Sequence, residues 1–175
     1  MNASTSTQTL EQQIWGWLEQ VPDPEIPVIS VVDLGIVRAV EVRDVDQQTQ
    51  CTIVITPTYS GCPAMKVIAQ DIVTLLAQHG LAQVAIETRL APAWSTDWMS
   101  ERGRSQLHDY GIAPPAQQVI DISGISRARP QAPKVACPHC GSMQTICVSQ
   151  FGSTSRKSLY QCKDCLEPFD YFKAH

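Results

Sequence analysis

Two cysteine pairs stand in the C-terminal third of the chain, Cys137-Pro-His-Cys140 and Cys162-Lys-Asp-Cys165, with twenty-one residues between them. Two thiolates in one tight turn grip one side of a tetrahedral ion, and a second pair closes the shell. The spacing predicts a structural zinc site; an iron–sulfur cluster is the alternative, because four cysteines also hold one. A redox dithiol is the third reading, but it needs only one pair. A third chemical candidate is Cys62 in "TPTYSGCPAMKV", between a β-like run and a helical run. At a helix N-terminus, free amides and the macrodipole favour a thiolate, which makes Cys62 a nucleophile or a metal ligand. The plainer reading is a small residue filling a β-to-α turn, with Pro63 in the first helical turn. No histidine stands at a telling spacing from it. "DPEIP" adds Asp23 and Glu25 in a rigid turn, either as oxygen ligands or as a turn cap and a solvated carboxylate. Asp33, before Leu34-Gly35, reads as a cap or turn residue.

These groups need elements to position them. Residues 8–21 place Leu10, Ile14, Trp17, Leu18 and Val21 on one helical face, with Thr9 and Gln12 as a capping box. Three prolines in "PDPEIP" stop that helix. "GIVRAVEVRD" reads as a strand, "DQQTQ" as a turn, and "CTIVITP" as a central strand burying Cys51. Met65, Ile68, Ile72, Leu75 and Leu76 mark a second helix, ending at Gly80. "QVAIETRLAP" alternates as a half-exposed strand with Val84, Ile86, Thr88 and Leu90 on one face. Trp94 and Trp98 in "PAWSTDWM" cover either a pocket or the core. Ser100 caps a further helix that ends before Gly111. Between the cysteine pairs, "MQTICVSQFG" and "SRKSLYQC" suit a hairpin, with Cys147 a buried thiol. The fold class is α+β: a small α-β-β-α-β domain with a mixed sheet, followed by a helix, a linker and a small β zinc ribbon. The expected boundaries are 8–115 for the first domain, 116–134 for the linker and 135–175 for the ribbon.

Composition narrows the function. The chain of 175 residues carries 13 Lys+Arg against 17 Asp+Glu. Residues 1–100 hold four basic and eleven acidic residues, whereas 124–163 hold six basic and no acidic one. An acidic front is a poor nucleic-acid surface, since phosphate contacts dominate such affinity. The basic set Arg127, Arg129, Lys134, Arg156, Lys157 and Lys163 keeps a ribbon-type nucleic-acid-binding or protein-docking module as an alternative. No apolar run is long enough to span a membrane. "MNASTSTQTLEQQ" has no basic residue or apolar core, so no signal peptide is expected and the reading is cytoplasmic. With seven cysteines in such a chain, metal or thiol chemistry is favoured over disulfides.

"DPEIPVISVVDLGIVR" followed by "TPTYSGCPA" resembles the small domain of SufT-like iron–sulfur assembly proteins. With "AWSTDWMSERGRSQLHDYGIAPP" and "FGSTSRKSLYQCKDCLEPFDYFK", the chain from about Ile14 to Lys173 resembles the PaaD (PaaJ) family. These are accessory proteins of the phenylacetyl-CoA monooxygenase (epoxidase) system of aerobic phenylacetate degradation. The resemblance implies a non-catalytic factor that matures or assembles a diiron or iron–sulfur centre. Its partners are subunits of that oxygenase, either the catalytic diiron subunit or the reductase; a homodimer is compatible with it. It implies metal binding at Cys137, Cys140, Cys162 and Cys165, and a transient iron or cluster site at Cys62 with Asp23 or Glu25. Such a handover site calls for an exposed thiolate beside open coordination space. The chain departs from the family pattern at Arg156 and Ala174, where the family carries cysteines, and this favours the plain four-cysteine site.

Overall fold

Helix α1 (Ala3–Leu18) buries Ile14 and Leu18 completely, while Trp15 and Trp17 are half-buried. Each fully buried aliphatic side chain contributes roughly 1.5–3 kcal/mol. The helix starts before Thr9, so Thr9 lies inside it and cannot be its N-cap, contrary to the capping-box expectation. The computed structural model describes residues 3–45, 48–59, 61–115 and 132–174, with side chains in α1 from residue 8 onward. Most of the expected linker, 116–131, lies outside the described residues, as do Asp46, Gln47 and Ser60. The chain divides into two compact units, Met1–Gly103 and Arg104–His175.

In the first unit, β1 (Val37–Val45) pairs antiparallel with β2 (Gln48–Ile55), and β2 pairs parallel with β3 (Gln83–Thr88). The sheet is therefore mixed, with order β1-β2-β3 and β2 in the centre. The central place explains the apolar run of β2, where Cys51, Ile53, Val54 and Ile55 are all buried. Burial, helped by the Glu11 carboxylate, pushes the Cys51 thiol up to about 11. Helix α2 (Ala64–Gln78) makes the crossover and buries Ala64, Ile68, Ile72 and Leu76 at helical spacing. Its last turn closes at His79, and Gly80 takes the left-handed conformation, φ +87°. The His79 ring stacks on Trp17, with centroids 4.0 Å apart, and so joins α2 to α1. On β3, Val84 and Ile86 are half-buried; the strand ends at Thr88, so Leu90 falls beyond it and is exposed.

The second unit takes in most of α3 (Glu101–Asp109), which Ser100 caps by accepting the Gly103 N–H at 2.9 Å. Gly111 follows at φ +86°. A four-stranded sheet then runs in the order β4 (Ile112–Ala113), β7 (Pro168–Phe172), β6 (Lys157–Cys162), β5 (Thr145–Ser149). Among the described residues its core is small: one cluster of Ala113, Val135, Cys137, Tyr160, Cys162, Phe169 and Tyr171, with Leu107, Ile112 and Phe172 also buried. Tyr160 stacks on Phe169 and meets Tyr171 edge-on, and its hydroxyl donates to the Pro133 carbonyl at 3.0 Å. Cys147 is half-buried against this cluster. So few apolar residues seldom hold a fold of this size alone, which is the physical case for a metal there.

Candidate metal centres

The two C-x-x-C turns are built alike. After Cys140 the chain reverses at Gly141, φ +74°, whose N–H donates to the Cys137 carbonyl at 2.8 Å. After Cys165 it reverses at Leu166, φ +66°. Cys137 N–H donates to the Ser142 carbonyl and Cys162 N–H to that of Glu167, closing each knuckle. The Lys163 N–H reaches the Gln144 carbonyl at 2.7 Å and ties the two knuckles together.

This brings all four sulfurs within 4.8 Å of one another, with Cys137–Cys165 at 3.7 Å and Cys140–Cys162 at 3.6 Å. A tetrahedron of thiolates about 2.3 Å from one zinc ion has sulfurs about 3.8 Å apart. The donor set and its dimensions therefore suit a single tetrahedral ion. The Cys162 and Cys165 thiols are shifted in opposite directions. The Cys165 N–H holds the Cys162 thiol down to about 7, against its burial, with help from the Asp164 N–H. At Cys165 the Glu167 N–H favours the thiolate, but burial and the neighbouring thiols push the group up to about 12. A bound cation replaces the remaining protons and removes that conflict. Cys147 is not one of the four.

The first unit places its candidates differently. Asp23 is completely buried, and its Oδ1 accepts the N–H groups of Glu25 at 3.0 Å and Ile26 at 2.9 Å. It caps the proline turn, as the plainer sequence reading has it. Glu25 is half-buried. Cys62 does precede α2, two residues before Ala64, with Pro63 between them. Its exposure differs from the expectation: the residue is 8 % accessible, and Thr56, Pro57, Thr58 and Ala64 around it in the chain are buried as well. Gly61 makes the turn at φ +78°. Among the described residues, Cys62, Asp23 and Glu25 are not grouped in a set of three or more ligand atoms; the four ribbon cysteines are.

Asp33 carries far more than a local cap. Ser30 and Asp33 form a reciprocal pair: Ser30 Oγ donates to Oδ2 at 2.8 Å and accepts the Asp33 N–H at 3.0 Å. The S-x-x-D spacing of "SVVD" was the available signal. Ser100 Oγ donates to Oδ1 at 2.6 Å, and Arg102 donates from Nε and Nη2 to the same carboxylate, the latter at 2.8 Å. Arg102 also meets Glu19 at 2.9 Å. Burial raises the Asp33 carboxyl, but the Arg102, Ser100 and Ser30 hydrogen bonds and the Arg102 charge outweigh it and hold the group below its ordinary value. Nearby, the Trp94 indole donates to the Leu34 carbonyl at 3.0 Å and is buried, so this tryptophan belongs to the core. Trp98 is half-buried beneath the Arg38 guanidinium, 3.6 Å from its ring centroid. Gly35 passes so close to Trp98 that a Cβ there would lie 2.6 Å from its carbonyl oxygen.

Residues 11–87 match the family described as "Iron-sulfur cluster assembly protein", and residues 123–173 match the "PaaD zinc beta ribbon domain". The chain is 44 % identical, over 92 % of its length and 91 % of the relative's, to a subunit assigned to the 1,2-phenylacetyl-CoA epoxidase of Escherichia coli (strain K12). It is 34 % identical to the Fe-S protein maturation auxiliary factor YitW of Bacillus subtilis (strain 168), covering 57 % of this chain and 95 % of that one. The crystal structure of a DUF59 domain from Bacillus anthracis superposes with a TM-score of 0.54 at 27 % identity, over 59 % of this chain and 96 % of that domain. The maturation factor and the DUF59 domain are thus matched almost whole by little more than half of this chain, and the match to the epoxidase subunit runs through both units. An assembly-type domain followed by a four-cysteine ribbon, at this identity over nearly the whole length, makes the chain a member of the PaaD family.

Proposed function

We propose that the protein is a non-catalytic accessory factor that matures or assembles the metal centre, diiron or iron–sulfur, of a multicomponent phenylacetyl-CoA monooxygenase (epoxidase). The observation that carries this reading is the union, in one chain, of an iron–sulfur assembly domain with a ribbon, at 44 % identity to a subunit assigned to such an epoxidase. In this reading the ribbon holds one zinc ion through Cys137, Cys140, Cys162 and Cys165. The ion's role is to fold the small second unit, whose own apolar core is slight. A four-iron cluster spreads its thiolates over separate irons; four sulfurs within 4.8 Å favour a single ion.

Cargo iron or a cluster is held transiently at Cys62, with Asp23 or Glu25 as oxygen partner. Cys62 stands two residues before Ala64, the first residue of α2. The Asp23 Oδ1 accepts the Glu25 and Ile26 N–H groups within the turn, so cargo binding by Asp23 would draw on its second oxygen. The nucleic-acid alternative loses support from burial: Arg156 and Lys157, two of its basic residues, are 1 % and 6 % accessible.

The test is anaerobic iron or cluster loading of wild type and Cys62→Ala, with epoxidase activity measured in cells carrying each. The expected result is reduced loading at an unchanged zinc content, with loss of client activity. Equal loading together with full epoxidase activity in the Cys62→Ala strain overturns the reading.

A further inference from the structure

The strand edges of this chain are treated in two ways. In the first unit, β1 carries Arg38, Glu41, Arg43 and Asp44 and a bulge between Val37 and Ala39, and β3 carries Glu87. Charges and bulges are the usual defence of an edge against pairing with other chains. In the second unit β4 is two residues long. The edge strand β5 carries no charge of its own: from Gly141 to Ser155 the sequence holds no Asp, Glu, Lys or Arg, and the charge that reaches past its end is Lys173, whose Nζ donates to the Gln150 carbonyl and lies 5.0 Å from the Phe151 ring centroid. Its inward residue Cys147 packs on the core, while Ile146 is 41 % and Val148 55 % exposed, flanked by Met143 at 52 % and Phe151 at 72 %. A bulge between Cys147 and Ser149 protects the strand only in part.

Leu166 adds an independent observation. It is 68 % exposed and held at φ +66°, a conformation costly for a side chain with a Cβ. The corresponding turn of the other knuckle uses glycine at Gly141. The Leu166 backbone is tied to the neighbouring strand: its carbonyl accepts from the Gln161 side chain, and Gln161 pairs across the ladder with Ile146. The ribbon thus keeps an exposed leucine where glycine would relieve strain, and the leucine side chain is not part of the ribbon's buried core among the described residues.

We propose that the β5 edge with Leu166 is the surface on which the ribbon docks the client oxygenase, taking from it an extended, uncharged apolar segment as an added strand. The inference rests on the accessory-factor reading above and names where its partner binds. Two arguments choose a client over a second copy. The maturation factor YitW is matched over 95 % of its length by 57 % of this chain, whereas the epoxidase relative is matched over both units. The ribbon is therefore the part shared with the epoxidase relative beyond the assembly domain. The strip is also small. Along Thr145–Ser149 it runs roughly 17 Å at ~3.4 Å per residue and about one side-chain row, ~10 Å, wide. That is on the order of 200 Å², well under the ~800 Å² per partner of a stable interface. Such an area suits a reversible contact, which a factor that must leave its client requires.

The experiment uses the zinc-loaded full chain and the purified remaining subunits of the epoxidase, with binding measured by calorimetry and assembly state by light scattering. Wild type is compared with Val148→Lys and Leu166→Gly. Expected is at least tenfold weaker binding for both variants, with unchanged zinc content. Leu166→Gly separates docking from folding, because its unfolding temperature should stay level or rise while binding falls. Client binding that is equal in wild type and both ribbon variants overturns this inference alone. A concentration-dependent homodimer that the same variants abolish, without client binding, assigns the edge to a second copy and also overturns it. If wild type binds no epoxidase subunit and Cys62→Ala cells keep full epoxidase activity, the accessory reading falls as well.

Discussion

Replacing Asp33 by asparagine tests the central polar junction of the first unit. The carboxylate takes hydrogen bonds from Ser30, Ser100 and two nitrogens of Arg102. Asparagine keeps one acceptor oxygen and turns an N–H₂ toward groups that can only donate or must reorient. Hydrogen bonds to a charged group are worth roughly 1.5–3 kcal/mol each. Arg102 is 53 % exposed, so its freed charge returns to water and most of its share is recovered. The net cost is about 2–3 kcal/mol, or roughly 10–20 °C in Tm for a domain of this size. All four tryptophans, at 15, 17, 94 and 98, lie in the first unit, so their fluorescence in a urea titration reports on it alone. The midpoint should fall by about 1–2 M. The pH dependence gives a second reading. Because the folded carboxyl titrates below its ordinary value of 3.8, its contribution is complete above that pH. It is lost as pH falls from there through the lower folded value, so wild type should converge on Asp33→Asn only in that acid range. A difference under about 0.5 kcal/mol at pH 7, or one that does not shrink in acid, would refute the reasoning.

Other consequences are accessible to simple measurements. Removing the ribbon metal with a chelator should collapse the amide resonances of residues 135–174, and metal analysis of the untreated protein should return one ion per chain at the four cysteines. Gly35→Ala should destabilise the first unit by roughly 2–4 kcal/mol in urea, since φ is +73° and the added Cβ meets the Trp98 backbone. Native Cys51, buried and pushed up to about 11, should resist iodoacetamide at pH 8 and react only at the rate of unfolding; prompt labelling would contradict its burial.

The ribbon could be read from its letters because metal chemistry is local. Two C-x-x-C turns must each present two thiols to one point, whatever surrounds them, and the four sulfurs do meet. The helices and strands of the first unit were legible in outline, but β2 begins at Gln48, inside the expected turn "DQQTQ", β3 buries none of its residues fully, and α1 starts earlier than Thr9 because no stop signal precedes it. Asp33 was legible only in its near half. Ser30 stands three residues away, but Arg102 is separated by 69, and no local pattern pairs them. Cys62 shows the same divide. Its place before a helix followed from Gly61 and Pro63, whereas its burial, at 8 % accessible, is a property of the folded unit. The exposure of β5 and the strained turn at Leu166 are likewise properties of the assembled sheet. Sequence alone determined which side chains could ligate and which elements carry them, because those depend on neighbours in the chain. Tertiary structure decided which groups are buried, which charges meet and which edge is left open, because those depend on segments that only folding brings together.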